Sequence, residues 1–295
     1  MPDPAAATNP AAATDPAPGG DAAGEGVDAA ATQEHVDAAA THGGVTPLKT
    51  LVSIATYNEI ENVEALVASL RKRLPAADVL VIDDNSPDGT GDAVRRMAAD
   101  DAYVHGLHRA GKLGLGTAYL AAFEYAAAHG YDVLVTMDSD FSHDPDAVAS
   151  LVQPLADGKA DLAIGSRYID GGGIEGWPRS RHVMSRCVNT YTRLLFGTRV
   201  ADCSGGFRAY RVAKLAEVDW SRQVAKGYAF LEEVLFRCER AGLRTVEVPI
   251  LFRDREQGTS KISLKEAGSA VIDLARVCWR DRIRGQDRKT PVADR

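Results

Sequence analysis

Short apolar runs that stop abruptly at clusters of acids constrain this chain more than any other feature. Thr50 to Ala55 (TLVSIA), Asp78 to Ile82 (DVLVI) and Val133 to Met137 (VLVTM) read as buried strands, and Val104 to His108 as a weaker one. Between them, Glu61 to Leu74 places Val63, Leu66, Val67 and Leu70 at helical spacing. Asp88 to Ala99 is helical with Asp88 near its start, and Leu115 to His129 is an alanine-rich helix. Strands buried on both faces read as continuous apolar runs, and alternation with helices of about three turns makes βα units on a parallel sheet. The expected class is α/β, a mostly parallel Rossmann-like sheet flanked by helices. Ligands in such sheets sit beyond the carboxyl ends of the strands, so the segments after each run carry the chemistry.

The first run is followed by Thr56, Tyr57, Asn58 and Glu59, the second by DDNSPDGT (Asp83 to Thr90), and the last by DSDFSHDP (Asp138 to Pro145). Asp83 and Asp84 abut a buried run, so something should neutralise them. Asp138 and Asp140, two apart at a strand end, are expected to point the same way and share a divalent ion. Oxygen ligands alone favour Mg2+ or Mn2+ over zinc. A lone DxD arises often by chance in an acidic chain. Its place after VLVTM and before a helix start at Asp144 or Pro145 favours metal binding over capping. The segment GKLGLG (Gly111 to Gly116) has neither dinucleotide-loop nor phosphate-loop spacing, and is read as a turn before the helix at Leu115.

Charge refines this reading. The formal net charge of the 295 residues is −7, and residues 1–46 hold seven acids with no Lys or Arg. Those residues, rich in Ala, Pro, Gly, Thr and Asp, contain no aromatic, Leu or Ile; they are read as a disordered tail that cannot offset its ordering entropy. Residues 47–170 carry 19 acids and 10 bases, and residues 171–295 carry 15 acids and 24 bases. That partition suits a cation site built by the first part and anionic ligands held by the second. Without an overall basic excess, nucleic acid is not an expected partner. Four widely spaced cysteines (Cys187, Cys203, Cys238, Cys278) form no metal knuckle and suit a reduced, cytoplasmic setting. No stretch approaches the ~20 apolar residues of a membrane helix, so membrane contact is expected to be peripheral or through a partner. Val248 to Phe252 reads as a strand, followed by a mobile loop bending at Gly258. The expected domain spans 47–263, followed by an amphipathic helix over 264–284 and a flexible tail over 285–295. That helix either packs on the domain or meets a membrane interface through Trp279 and its arginines.

TYNE, DDNSPDGT and DSDFSH, with GSRY (Gly165 to Tyr168), SGGFRAYR (Ser204 to Arg211), GYAF (Gly227 to Phe230) and VPILFRDREQGTSK (Val248 to Lys261), run in order over roughly residues 50–263. Together they resemble the polyprenyl-phosphate (dolichol-phosphate) mannose synthases, family 2 glycosyltransferases of GT-A fold. DDNSPDGT and the RxxGxSK pattern are specific to that branch. The resemblance implies inverting transfer of mannose from GDP-mannose to a polyprenyl monophosphate. It implies donor contacts at Ala55, Tyr57, Glu59, Ile82, Asp84, Asp138, Ser139, Asp140, Arg167, Arg255 and Lys261. Of these, Asp138, Asp140, Arg255 and Lys261 would be catalytic. Asp138 and Asp140 would hold the metal, with Ser142 as a further ligand. Arg167, Arg181 and Ser185 would meet the acceptor phosphate, with Arg186 a lesser candidate. Family members usually have Pro where this chain has Ala55, and Ala where it has Ser139. Glu232 and Glu233 are expected as helix residues near the site, and Asp202 and Arg208 in a structural ion pair or site wall. A phosphate monoester is already anionic, so its attack needs orientation and charge shielding more than a base. The implied setting is the cytoplasmic face of a membrane, with a separate anchoring subunit as a possible partner. Two rivals are a UDP-glucose-dependent glucosyltransferase, or another polysaccharide-building transferase, and a non-catalytic nucleotide-sugar-binding module.

Overall fold

A computed structural model describes residues 48–222, 227, 229–254 and 271–280. The expected tail over 1–46, Gly258, Arg255 and Lys261, the rest of the 264–284 helix and the segment 285–295 lie outside the described residues.

Strands β1 (Thr50–Thr56), β2 (Asp78–Asp83), β3 (Val104–His108) and β4 (Val133–Met137) alternate with helices α1 (Ile60–Arg73), α2 (Thr90–Asp100) and α3 (Leu115–Ala128). The chain continues through α4 (Ala147–Ala156), β5 (Leu162–Ser166), β6 (Gly173–Glu175) and α5 (Arg179–Phe196). Then follow β7 (Arg208–Arg211), the short α6 (Val212–Leu215), α7 (Phe230–Arg240), β8 (Thr245–Pro249) and β9 (Leu251–Arg253). The main sheet has the order β3-β2-β1-β4-β7-β5-β8. Every neighbouring pair is parallel except those of β7, which runs antiparallel to both β4 and β5.

Successive strand residues feed opposite faces. Leu80 and Ile82 join Leu51 and Leu134 in a core under α3 and α7, which contribute Ala118, Tyr119, Phe123, Phe230 and Val234. Val79 and Val81 join Val52, Ile54 and Val135 on the other face, against Val63, Leu66 and Leu70 of α1 and Leu151 and Leu155 of α4. Each such side chain contributes roughly 1.5–3 kcal/mol by leaving water, which explains why the strands tolerate so little polarity.

Most boundaries lie within one or two residues of the sequence expectation, and two further differences have an identifiable cause. Helix α4 begins at Ala147, because Asp144 closes a turn first: its carboxylate accepts the Asp146 N–H at 3.0 Å, and its carbonyl accepts the Ala147 N–H at 3.0 Å. Val248 to Phe252 is not one strand. β8 ends at Pro249, which has no N–H to give; Ile250 turns its side chain into the core, and β9 pairs with β6 in a separate two-stranded sheet. Residues 271–280 are helical, burying Leu274, Val277 and Cys278 while Val271, Ile272 and Trp279 stay exposed. Leu274 packs with Ala229 against Tyr191, Leu195 and Phe196. Among the described residues no helix is long and apolar enough to cross a membrane.

Candidate active site

From β1 the chain winds outward through β2 and β3, then returns to place β4 on the other side of β1. Crossover direction reverses between β1 and β4, and a crevice opens there beyond the carboxyl ends. Ala55 and Ile82 are register partners on β1 and β2. The loops after these strands are tied together. Asn58 N–H donates to Ser86 Oγ at 3.0 Å, Glu59 N–H to Thr90 Oγ1 at 3.0 Å, and Ile60 N–H to Asp88 Oδ2 at 3.1 Å. Burial opposes the Asp88 charge, yet hydrogen bonds from Thr90 and Ile60 hold its carboxyl below the ordinary value. Asn58 and Asn85 adopt φ of 61° and 58°, a region that asparagine enters more readily than most residues.

The acids after β2 acquire separate partners. Asp83 is buried and accepts Ser86 Oγ–H at 2.5 Å, with His108 Nδ1 at 3.8 Å. Asp84 accepts Arg109 Nε–H at 2.5 Å, while Arg109 Nη1 donates to Thr117 Oγ1 at 2.6 Å. Lys112 places Nζ 4.3 Å from the centre of the Tyr57 ring. The GKLGLG segment is thus a turn before α3, as its spacing implies, and it also brings Lys112 to the crevice, with Arg109 just before it. Sequence reading missed both cations; the only signal for them was the unmet charge of Asp83 and Asp84.

The acids after β4 do not continue the strand. β4 ends at Met137, the chain bends from Ser139 onward, and Phe141 takes φ of 59°. What shapes the bend is His143, whose Nδ1 accepts the Asp138 N–H at 3.2 Å and whose ring stacks on Phe207 with centres 4.9 Å apart. An acceptor Nδ1 requires the neutral ring. Burial depresses the His143 pKa accordingly, overcoming the nearby Asp138 and Asp140, which pull it upward. Ser142 N–H donates to Asp140 Oδ1 at 3.1 Å, and Ser142 O accepts Arg253 N–H at 3.2 Å, so Ser142 lies buried in this turn. Space here depends on glycine: a Cβ on Gly206 would sit 2.9 Å from Tyr119 Oη and 3.6 Å from Asp138 Oδ1. Among the described residues no group of three or more His, Cys, Asp or Glu is placed to hold a metal. Two carboxylates in one turn fit an ion such as Mg2+, which takes its other ligands from water and substrate phosphates.

Arg167 follows β5 and is less free than the sequence suggests. Its Nε and Nη2 donate to Asp202 Oδ2 and Oδ1, both at 2.7 Å, its N–H donates to Oδ2 at 3.0 Å, and Nη2 also reaches Ser204 Oγ at 3.0 Å. Burial works against this guanidinium, but Asp202 holds its pKa above the ordinary value. Asp202 is therefore ion-paired with Arg167, and not with Arg208. Arg208 is fully buried and donates to the carbonyls of Gly205 (2.7 Å), Leu231 (2.8 Å) and Cys203 (2.6 Å). Glu232 is buried beside it, and burial pushes its carboxyl up to about 7. Arg181 and Ser185 share a face of α5 one turn apart. Arg181 Nη1 donates to Asp254 Oδ1 at 2.8 Å, with its guanidinium 3.9 Å from the Trp177 ring centre. Ser185 Oγ accepts the Tyr168 O–H at 2.7 Å, whereas Arg186 is exposed.

Residues 51–219 match the family model described as glycosyl transferase family 2. The chain is 45% identical over 229 residues to an undecaprenyl-phosphate mannosyltransferase of Micrococcus luteus, covering 78% of this chain and 93% of that protein. It is 44% identical over 236 residues to a polyprenol monophosphomannose synthase of Mycolicibacterium smegmatis, covering 80% and 89%. Among solved structures, glucosyl-3-phosphoglycerate synthase from Mycobacterium tuberculosis, in complex with Mn2+, UDP-glucose and phosphoglyceric acid, superposes with a TM-score of 0.59. That match has 21% identity and covers 81% of this chain and 86% of that one, a likeness of fold.

Proposed function

The chain belongs to glycosyl transferase family 2, in the branch of the polyprenyl-phosphate mannose synthases, and from that premise we propose that it transfers mannose from GDP-mannose to a polyprenyl monophosphate. The observation that carries the reading is the grouping at the β1–β4 crevice. Tyr57 and Asp84 stand on one side and Asp138 and Asp140 on the other, while Arg181 and Ser185 offer cation and hydroxyl on a neighbouring helix.

In this reading the Tyr57 face and the Glu59 and Asp84 carboxylates receive the base and ribose, beside Ala55 and Ile82. Asp138 and Asp140 would hold Mg2+ or Mn2+, with Ser139 and Ser142 shaping their turn. When bound, such an ion would supply positive charge where the diphosphate leaves. Arg181 and Ser185 orient the acceptor phosphate, and Arg167, braced by Asp202, adds fixed charge nearby. Arg255 and Lys261, from the RxxGxSK pattern, complete the cation set. A phosphate oxygen bonds to the anomeric carbon from the face opposite the leaving group. The bond to the diphosphate breaks, and GDP departs with the electron pair. No proton need move, so no general base is required. Because donor and product differ in solubility, we place the reaction at the cytoplasmic face of a membrane, with a separate subunit as one possible anchor.

The test is transfer by purified protein with Mg2+ and a polyprenyl phosphate, offering GDP-mannose and UDP-glucose separately. Mannose transfer that is lost with EDTA is the expected result. Preference for UDP-glucose would overturn the donor assignment, and metal-independent turnover would overturn the roles of Asp138 and Asp140.

A further inference from the structure

The acceptor-phosphate reading puts a phosphate on Arg181, yet that guanidinium already holds a carboxylate. Arg181 Nη1 donates to Asp254 Oδ1 at 2.8 Å, with the two side chains 19% and 30% exposed. Asp254 borders a cavity of about 620 Å3 that also touches Asp140. Most charged residues on that cavity are acidic, including Asp144, Asp146 and Glu175. Its two arginines are themselves paired, Arg73 with Asp146 at 2.5 Å and Arg253 with Glu175 at 3.2 Å.

We propose that Asp254 is a positioning residue, the carboxylate that an acceptor phosphate replaces on Arg181. The inference rests on the polyprenyl-phosphate reading above. Three features suit an exchange of anions. Arg181 has a second hold, lying 3.9 Å over the Trp177 ring, so it keeps its place when the carboxylate leaves. Ser185 Oγ, one turn along α5, accepts the Tyr168 hydroxyl at 2.7 Å and so keeps its own O–H for a phosphate oxygen. The backbone of Asp254 is fixed by its N–H to Glu175 O at 3.0 Å, which leaves the exchange to side-chain rotation alone. In the acceptor-free protein Asp254 satisfies Arg181 and keeps other anions off it. A phosphate monoester, with more charge and more oxygens, displaces it.

The experiment measures steady-state kinetics with a short-chain prenyl monophosphate, comparing the full-length protein with Asp254→Asn and Asp254→Ala. Equilibrium binding of the same phosphate and of the free prenyl alcohol is measured without donor. Removing the competing carboxylate is expected to lower acceptor KM about fivefold, the order of a partly exposed ion pair, with kcat and donor KM unchanged within about twofold. Phosphate binding should tighten in parallel while alcohol binding does not. In an Arg181→Ala background the Asp254 substitutions should have no effect on KM. Unchanged or raised acceptor KM in a folded Asp254→Asn protein would overturn the proposal, because a merely structural pair loosens Arg181 when broken. Failure of the unaltered protein to bind or use any prenyl phosphate would instead overturn the functional reading itself.

Discussion

Replacing Asp202 by alanine strands the Arg167 guanidinium, an enclosed cation of the site. The Asp202 side chain is 0% exposed and that of Arg167 is 8%, and the carboxylate receives three N–H groups of Arg167. Without it, the guanidinium keeps the Ser204 hydroxyl at 3.0 Å and the Tyr168, Trp177 and Phe252 rings with centres 5.4–5.5 Å away, so a charge stays buried without its carboxylate partner. Breaking such a pair from one side costs about 3–5 kcal/mol. For a domain of this size that lowers the melting temperature by about 6–20 °C. Asp202→Leu combined with Arg167→Met should cost much less than Asp202→Ala, since the apolar pair leaves no uncompensated charge. Urea denaturation of the variants, with equal m values as the check on two-state behaviour, measures both quantities. A loss below about 1 kcal/mol for Asp202→Ala would refute the argument, because only a solvated pair is worth so little.

Other substitutions probe separate parts of the fold. Glu232 has a folded-state pKa of about 7 against 4.5 ordinarily, so its stability contribution is complete below about pH 4.5 and is lost as pH rises through 7. The loss is about 3 kcal/mol at 1.36 kcal/mol per unit, and Glu232→Gln should flatten the fall in melting temperature between about pH 4.5 and pH 7. Identical falls in both proteins would rule this out. A Cβ on Gly116 would lie 2.6 Å from Phe230 Cδ2, so Gly116→Ala should cost about 1–3 kcal/mol by displacing that ring from the α3–α7 contact; thermal melting gives the answer. Asp140→Ala should abolish mannose transfer while leaving the circular dichroism spectrum intact, and unchanged turnover would remove Asp140 from the metal site.

Much of the first half was legible because its signals are local. Apolar runs and helical spacing specify β1 to β4 and α1 to α3 without reference to distant residues, and the carboxyl-end rule then points to Tyr57, Asp84 and Asp138. The break at Ile250 was legible only in part: Pro249 marks where a ladder can stop, but that the chain then crosses to a second sheet depends on β6 arriving to pair with Leu251 to Arg253. His143 was hidden for a similar reason. Its part in shaping the Asp138 turn depends on Phe207, far along the chain, to stack its ring.

By itself the sequence determined the α/β class and the clustering of acids after the strands, because each follows from period, burial and residue type within a few neighbours. Only the tertiary structure decided how charges are matched. Arg109 goes to Asp84 across 25 positions, Arg167 to Asp202 across 35 and Arg181 to Asp254 across 73. Such partners leave no periodic trace, since any of several arginines satisfies a carboxylate equally well until the fold brings one within reach.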